Sequence, residues 1–240
     1  MRKTIAIFLL LLFQGISSYL IARDYPPGFL SDGQMPDGAL LLPPPPADSS
    51  CSFATDLCYY EWGKTQRTST LAQRFRWEEE GEIYIAFSES IGLEISETNT
   101  PEIENLCLRA TTDMWKFKNS MKQLFRRQRP FTKFGEPSLL PDRDEHEARG
   151  NSYPSGHSAM GFLNAMVLAQ MVPDSTVRLL KRAHEYALDR VIAGTHYKSD
   201  IDASMTLATA VFIALQQNED YQRQLATARR EYLRLKALSR

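Results

Sequence analysis

The sequence predicts an all-α fold, a single-domain helical bundle. Apolar residues recur at three- and four-residue spacing, the period of an amphipathic helix, over residues 83–91, 103–125, 159–171, 177–191 and 201–215. The period-two alternation typical of half-buried strands is almost absent. The chain has 240 residues, of which 43% are hydrophobic and 24% charged. This is enough for one sizeable core.

The boundaries between the predicted helices carry helix-breaking residues. Pro130 ends one segment, Pro173 and Asp174 separate two more, and Gly194 follows another. Residues 218–220 break the last pair. Residues 221–240 mix charged and apolar side chains and are interpreted as an amphipathic closing helix.

The N-terminus has the pattern of a secretory signal peptide, predicted over residues 1–18. Arg2 and Lys3 precede an apolar run over residues 5–13, and small residues follow at a plausible cleavage site. The run is well short of the roughly 20 residues needed to span a bilayer. We therefore expect an exported, periplasmic protein with no membrane attachment in its mature form. Residues 19–50 are predicted to be an irregular proline-rich segment, and residues 51–240 the helical domain.

Charge and cysteine content exclude some classes of partner and leave others open. Lys plus Arg number 28 against 29 Asp plus Glu, so no excess charge indicates a nucleic-acid partner. Cys51 and Cys58 could close a small loop, Cys107 could pair with either, or all three could be free thiols. No Cys/His spacing suits zinc, so we expect neither a metal site nor a cofactor.

The first segment that could carry chemistry is the basic stretch KQLFRRQRPF. Lys122 and Arg129 are seven residues apart, nearly two helical turns, so both are expected on one helix face, converging on one anion. Pro130 disfavours helical geometry at Arg129, so the helix is expected to end there. The ordinary alternative is a basic helix face on which Arg126 and Arg127 are simply solvated.

The second segment is GNSYPSGHSAMGF, a turn that leads directly into an apolar helical run. A helix N-terminus reached through Gly156 offers free backbone N–H groups to phosphate oxygens, and Ser155 can add a hydroxyl donor. Alternatively, Ser155 is only an N-cap and His157 is a surface residue in the first turn.

The third segment is DRVIAGTHYKSDIDA. Asp200, four residues beyond His196, can hold one imidazole nitrogen and leave the other free to attack. Arg190 supplies a planar donor pair for phosphate oxygens. The alternative makes Asp200 an N-cap, Arg190 a C-terminal helix cation and His196 a loop residue. Each such alternative is reasonable singly, but all three segments in this order favour a common site.

Together, Lys-x6-Arg-Pro, Pro-Ser-Gly-His and Arg-x5-His-x3-Asp resemble the motif of the type-2 phosphatidic acid phosphatase superfamily, PAP2. The flanking LLPPPP near residue 41, the YPSGH stretch and the charged C-terminal helix are similar to the bacterial class A non-specific acid phosphatases. The resemblance covers most of the mature chain, and it implies an acid phosphatase domain over residues 51–240.

The resemblance also implies a role for each matching residue. His196 would attack phosphorus, Asp200 would orient it, and His157 would protonate the leaving alcohol. The residues implied to bind the phosphate oxygens are Lys122, Arg129, Ser155, Gly156 and Arg190. One position departs from the family pattern, because Asp189 stands where a serine is usual. Its carboxylate would repel phosphate, so either it turns away to pair with a cation or the affinity is reduced.

The expected function is metal-independent hydrolysis of a broad range of small phosphate monoesters through a phosphohistidine intermediate. Attack needs a neutral His196, whereas His157 must be protonated, so a mildly acidic optimum is the natural compromise. The alternatives are a vanadate-dependent haloperoxidase, a non-catalytic exported phosphate-binding module and a membrane lipid phosphatase. The short chain and its flanks disfavour the haloperoxidase, and the intact His157 and His196 disfavour the binding module. A lipid phosphatase is disfavoured because only the signal-like segment is apolar enough for a membrane. A homo-oligomer stays open.

Other conspicuous residues are expected to be structural. We interpret one group as a solvated charged loop: Asp142, Asp144, Glu145, His146 and Glu147. His184 is predicted to be structural. The aromatic residues predicted to lie in the core, although some could form a wall beside the substrate, are Tyr59, Tyr60, Trp62, Phe87 and Trp115.

Overall fold

The computed structural model describes residues 25–238, and within that range all regular secondary structure is helical. This confirms the predicted all-α class. The helices are α1 Gly38–Leu41, α2 Cys51–Thr65, α3 Ser69–Glu80, α4 Ser88–Ile91, α5 Pro101–Phe125, α6 Pro130–Phe134, α7 Asp144–Ala148, α8 Gly156–Met171, α9 Thr176–Ile192, α10 Lys198–Gln216 and α11 Glu219–Leu238. Short 3-10 turns lie at Asp32–Gln34, Ile83–Phe87, Pro141–Arg143 and Pro173–Ser175.

The centre of the bundle is α8, which packs against α5, α9 and α10. Apolar residues surround α8 on every side, and most of them are buried. A helix that is apolar all round is stable only in the interior. By contrast, α9 is amphipathic and exposes Val177 and Leu180. The N-terminus of α8 is therefore held at a fixed place by three neighbouring helices.

The long helix α5 is capped by a residue from the other end of the chain. Pro101 occupies its first turn, where a missing N–H costs nothing. The Glu231 carboxylate of α11 accepts hydrogen bonds from the Glu102 and Ile103 amides at 3.1 and 3.0 Å. A carboxylate at a helix N-terminus satisfies free amides and complements the helix dipole. Packing of α11 on α5 thus stabilises the helix that carries Lys122.

Four of the five predicted apolar segments correspond to α5, α8, α9 and α10, and the predicted closing helix corresponds to α11. Residues 83–91 differ from the prediction. They form a 3-10 turn, Ile83–Phe87, and then the single turn α4, which ends at Gly92 in the left-handed region with φ of 66°. The apolar residues of this segment do face the core, since Ile83, Phe87 and Ile91 are buried. The segment is too short between its breaks to sustain a longer helix.

Residues 25–50 are mostly irregular and lie against the bundle. The buried Asp113 carboxylate accepts the Phe29 and Leu30 amides at 2.8 and 3.2 Å. The Tyr153 hydroxyl donates to the Pro43 carbonyl at 2.8 Å, which fastens the proline run. The predicted signal peptide, residues 1–18, lies outside the described residues. Between residues 25 and 238, every helix is too short or too polar to cross a bilayer.

The structure shows whether the cysteines are paired and which of the aromatic residues are buried. Cys51, Cys58 and Cys107 are all free thiols, and Cys107 is buried. Tyr60 and Phe87 are buried as predicted. The core prediction was wrong for three aromatic residues, since at least a third of each side chain is exposed: Tyr59, Trp62 and Trp115. Aromatic residues on amphipathic helices can face a pocket or solvent, and apolar content alone does not show which.

Candidate active site

The bundle brings all three motif segments together at one end of α8. The Arg129 Nη1 lies 3.0 Å from the His196 Nε2. The Ser155 amide donates to the Asp200 carbonyl at 3.3 Å. Arg190 pairs with the Glu79 carboxylate, and the His157 Nδ1 lies 3.6 Å from the same carboxylate. All eight predicted site residues therefore lie around one cluster.

The His196 imidazole is buried and held at both ends. Its Nδ1 lies 3.4 Å from the Asp200 Oδ2, which also accepts the Tyr197 amide at 2.8 Å in the first turn of α10. The His196 amide donates to the Arg190 carbonyl at 3.2 Å. We assign the proton to Nδ1 because a carboxylate accepts there, so the Nε2 lone pair accepts from the Arg129 Nη1 at 3.0 Å. Burial and the nearby Arg129 guanidinium lower the pKa of His196 to about 3.

A second arginine, missed at the sequence level, fixes Asp200. The Arg127 Nη1 donates to the Asp200 Oδ1 at 2.7 Å, and the Arg127 Nη2 donates to the Asp56 Oδ2 at 2.6 Å. The Ser152 hydroxyl also donates to Asp200. Burial alone would raise the pKa of Asp200, but His196 and Arg127 outweigh it and lower that pKa to about 2. The alternative in which Arg127 is simply solvated is excluded, since its guanidinium neutralises two buried carboxylates.

Lys122 and Arg129 do not share a helix face, contrary to the sequence prediction. Helix α5 ends at Phe125, because Arg126 takes the left-handed conformation with φ of 46°. Arg129 is extended, with φ of −69° and ψ of 151°, as the following Pro130 favours. The two cations converge instead from a helix and from the connection after it.

Both cations are held by neighbouring loops. The Arg129 guanidinium donates to the Thr195 carbonyl at 3.0 Å and pairs with the Glu147 carboxylate at 2.8 Å. The Lys122 ammonium donates to the Asn151 carbonyl. Burial and the nearby Arg129 charge lower the pKa of Lys122 to about 7. Lys122 is therefore fully charged only on the acid side of neutrality.

The N-terminus of α8 supplies the backbone donors. Ser155 is the N-cap, and its hydroxyl oxygen accepts from the Ser158 amide. The Ser155 and Ser158 hydroxyl oxygens lie 2.8 Å apart. Gly156 begins the helix, and a Cβ atom there would lie 2.8 Å from the Cδ of Lys118. Capping and anion binding are thus compatible at this turn, whose first amides have no partner within the helix.

Arg190 is fully buried between two aromatic rings and two carboxylates. Its guanidinium carbon lies 4.1 Å from the Phe75 ring centre and 4.6 Å from that of Tyr186. Its terminal nitrogens pair with Glu78 and Glu79 at the end of α3. Sequence reasoning missed both glutamates, and the only signal was the run WEEE at a predicted helix end.

His157 has a carboxylate neighbour of its own. Its Nδ1 lies 3.6 Å from the Glu79 Oε1, and 32% of its side chain is exposed. Burial lowers the pKa of His157, and the Glu79 charge opposes that shift. Burial would also raise the pKa of Glu79, but His157, Arg190 and Arg129 lower it to about 2. Glu79 is therefore an anion among the cations of the cluster.

Asp189 turns away from the cluster, which decides between the two sequence alternatives. Its carboxylate accepts the Arg74 Nε and Nη2 at 2.9 and 2.7 Å, and only 3% of the Asp189 side chain is exposed. The bidentate pair compensates the negative charge beside Arg190.

Two guanidinium N–H groups of the cluster are left without partners. The Nε atoms of Arg129 and Arg190 are buried and make no hydrogen bond to any of residues 25–238. Buried donors are rarely left unsatisfied in proteins. Two such donors beside a neutral histidine and a helix N-terminus form a site suited to a multiply charged oxyanion.

The charged loop before the second segment is only partly solvated. Glu147 pairs with Arg129, Asp142 with Arg76, and the Asp144 carboxylate accepts the Ser138 amide at 3.0 Å, whereas most of the His146 side chain is exposed. The interpretation as a solvated loop was therefore wrong for Glu147. Among the described residues, no three His, Cys, Asp or Glu side chains are placed to hold a metal ion. His184 packs edge-on against the Phe162 ring, at 5.1 Å between centroids.

Comparison with known proteins shows the family of this chain. The model of the PAP2 superfamily matches residues 106–223. A non-specific acid phosphatase of Providencia stuartii is 32% identical over 98% of this chain and 100% of its own. The chain belongs to the PAP2 superfamily.

Other proteins similar to this PAP2 chain are also named phosphatases. A non-specific acid phosphatase of Salmonella typhimurium is 30% identical over 90% of this chain and 88% of its own. An acid phosphatase of Zymomonas mobilis is 27% identical over 81% and 75%. A solved transmembrane PAP2-type phosphatidylglycerolphosphate phosphatase from Bacillus subtilis is 17% identical, with a TM-score of 0.49 over 69% of this chain and 85% of that one. The PAP2 chain is an enzyme of the acid phosphatase type, a phosphoric monoester hydrolase.

Proposed function

We propose that the enzyme hydrolyses a broad range of phosphate monoesters through a covalent phosphohistidine on His196, without a metal ion. The observation that carries the proposal is the pair of unsatisfied buried guanidinium donors, from Arg129 and Arg190, beside His196, whose Nε2 would be released for attack as the Arg129 Nη1 turns to the phosphate. A phosphate group would take these donors together with the first amides of α8 and the Lys122 ammonium.

The first step forms a phosphorus–nitrogen bond. The Nε2 lone pair of His196 attacks phosphorus, and the bond from phosphorus to the leaving oxygen breaks. His157 donates its proton to that oxygen, so the alcohol leaves neutral. Asp200 keeps the Nδ1 proton in place and stabilises the positive charge that develops on the ring.

The second step restores the enzyme. Water attacks the phosphorus, His157 accepts a proton from that water, and the electrons of the phosphorus–nitrogen bond return to Nε2. Inorganic phosphate then leaves. Phosphoryl transfer needs chiefly positioning and charge neutralisation, and three cations and a helix N-terminus provide both.

Glu79 is proposed as a positioning residue for His157. Its carboxylate lies within 3.6 Å of the Nδ1 and favours the protonated imidazole that must donate to the leaving group. The site thus contains two histidine–carboxylate pairs, His196 with Asp200 and His157 with Glu79.

The test is hydrolysis of 4-nitrophenyl phosphate in excess EDTA. Wild type is expected to retain its turnover, and His196→Ala is expected to lose at least about 10⁴-fold in kcat. The matched control is His184→Ala, which removes an exposed imidazole of α9 and is expected to keep wild-type turnover. Rapid quenching with ³²P-labelled substrate should trap an acid-labile, base-stable phosphoenzyme in wild type only. Loss of turnover in EDTA, or an active His196→Ala, would contradict the proposal.

Export is proposed from residues 1–18 and is tested separately. N-terminal sequencing of the mature protein from the periplasmic fraction should begin after the predicted signal peptide. An uncleaved N-terminus would contradict it.

A further inference from the structure

A cavity of about 540 Å³ opens beside His157, on the side where the leaving alcohol must depart. Its apolar wall includes Ile83, Trp115 and Met160, and 55% of Trp115 is exposed. A flat apolar wall beside a proton donor suits an aromatic leaving group. The charged residues of the cavity then decide which aromatic alcohols fit.

Lys118 stands where this cavity meets the phosphate-binding cluster. It lies on α5 one turn before Lys122, so the two side chains share one helix face. Its Nζ is 3.0 Å from the position of a Cβ on Gly156, which places the ammonium over the start of α8. Burial and the nearby Arg129 charge lower the pKa of Lys118.

Lys118 differs from the two arginines of the cluster in having no ion-pair partner. Arg190 pairs with Glu78 and Glu79, and Arg129 pairs with Glu147. The Lys118 ammonium makes no hydrogen bond or ion pair within residues 25–238, and it lies 5.9 Å from the Trp115 ring centre. A half-buried ammonium with three free donors is a ready partner for an anion.

The rest of the cavity does not cancel this charge. Glu82 is its one carboxylate among the described residues, and both of its oxygens accept from the Tyr25 hydroxyl. Lys116 adds a second, exposed cation at the rim. The leaving-group side of the site therefore carries net positive charge.

We propose that Lys118 is a specificity-determining residue that binds a second anionic group on the leaving alcohol, so that the enzyme prefers aryl phosphates with an acidic substituent. The inference rests on the proposed function and adds the substrate class. The proposed bond is a charge-assisted hydrogen bond from the Lys118 ammonium to the substituent, formed beside the Trp115 wall.

The test compares two substrates of nearly equal shape, 3-carboxyphenyl phosphate and its neutral amide, 3-carbamoylphenyl phosphate. Wild type is expected to show a kcat/KM about tenfold higher for the carboxylate. Lys118→Met should reduce this ratio to near one, and Lys118→Arg should preserve most of it. Lys116→Met should lower the ratio less than Lys118→Met, because solvent screens the exposed rim charge. Lys181→Met, which removes an exposed lysine of α9, is the matched control and should keep the wild-type ratio.

The ratio of the two kcat/KM values does not depend on the fraction of enzyme that is folded. A destabilised variant therefore still gives a valid measure of substrate preference. In wild type, raising the NaCl concentration should also reduce the ratio. Equal hydrolysis of the two substrates by wild type, or an undiminished ratio in Lys118→Met, overturns the inference alone. If wild type hydrolyses none of the three substrates (the carboxylate, the amide and 4-nitrophenyl phosphate), the proposed function is overturned and this inference with it.

Discussion

The pair of Arg74 and Asp189 gives the sharpest test of how this chain tolerates an acidic residue beside Arg190. Arg74→Met removes the partner of a carboxylate that is only 3% exposed. Breaking a buried ion pair from one side costs about 3–5 kcal/mol in general. Because 47% of the Arg74 side chain is exposed, water can reach part of the vacated site, and we expect about 2–3 kcal/mol. For a domain of this size that lowers Tm by about 5–10 °C.

Thermal and urea unfolding followed by circular dichroism measure this loss. The double variant Arg74→Met with Asp189→Ser removes both charges and should recover most of the unfolding free energy. The matched control is Arg76→Met, on the same helix, whose bidentate pair with Asp142 is exposed and should matter little. The reasoning fails if Arg74→Met is no less stable than Arg76→Met, or if the double variant is no more stable than the single one.

Three further outcomes are expected. The kcat/KM of wild type should fall below about pH 3, where His196 gains a proton, and should fall above about pH 4, where His157 loses the proton that it donates, so a pH profile flat up to about pH 9 would contradict the role of His157. Glu79→Gln removes the charge that favours protonated His157, so the alkaline limb of kcat should move to lower pH, and an unmoved limb would show that Glu79 has no such role. Gly194→Ala places a Cβ on a backbone with φ of 82°, which should cost about 1–2 kcal/mol and lower the urea midpoint; unchanged unfolding would exclude this strain.

Two of these outcomes have a matched control. Gly33→Ala introduces the same methyl group where nothing lies within 4 Å of the new Cβ, so its urea midpoint should equal that of wild type. Glu79→Asp keeps the charge at a longer distance and should leave the alkaline limb between those of wild type and Glu79→Gln.

The sequence was sufficient to predict the main helices and to select the motif residues, because both depend on local spacing. The apolar period located α5, α8, α9 and α10, and the motif located His157 and His196. The prediction from local spacing failed at Arg126. This residue is left-handed and ends α5 three residues before Arg129, so Lys122 and Arg129 do not lie on one helix face as expected. No local propensity marks an arginine for that conformation.

The counter-charges could not be predicted for a different reason, which is their distance along the chain. Glu79 lies 78 residues before His157, and Asp56 lies 71 residues before Arg127. Which carboxylate meets which cation depends on how α2 and α3 pack on the bundle. In the sequence these carboxylates look like ordinary surface residues of amphipathic helices.

The position of those carboxylates sets the smallest piece of chain that can form the site. The family model begins at residue 106, but Asp56 and Glu78 lie upstream of it, and each neutralises an arginine whose side chain is at most 8% exposed. A fragment trimmed to residues 106–223 would bury Arg127 and Arg190 with too little opposing charge. A chain shortened for structural or engineering work should therefore begin before α2, even though every residue of the three-part motif would survive the shorter cut.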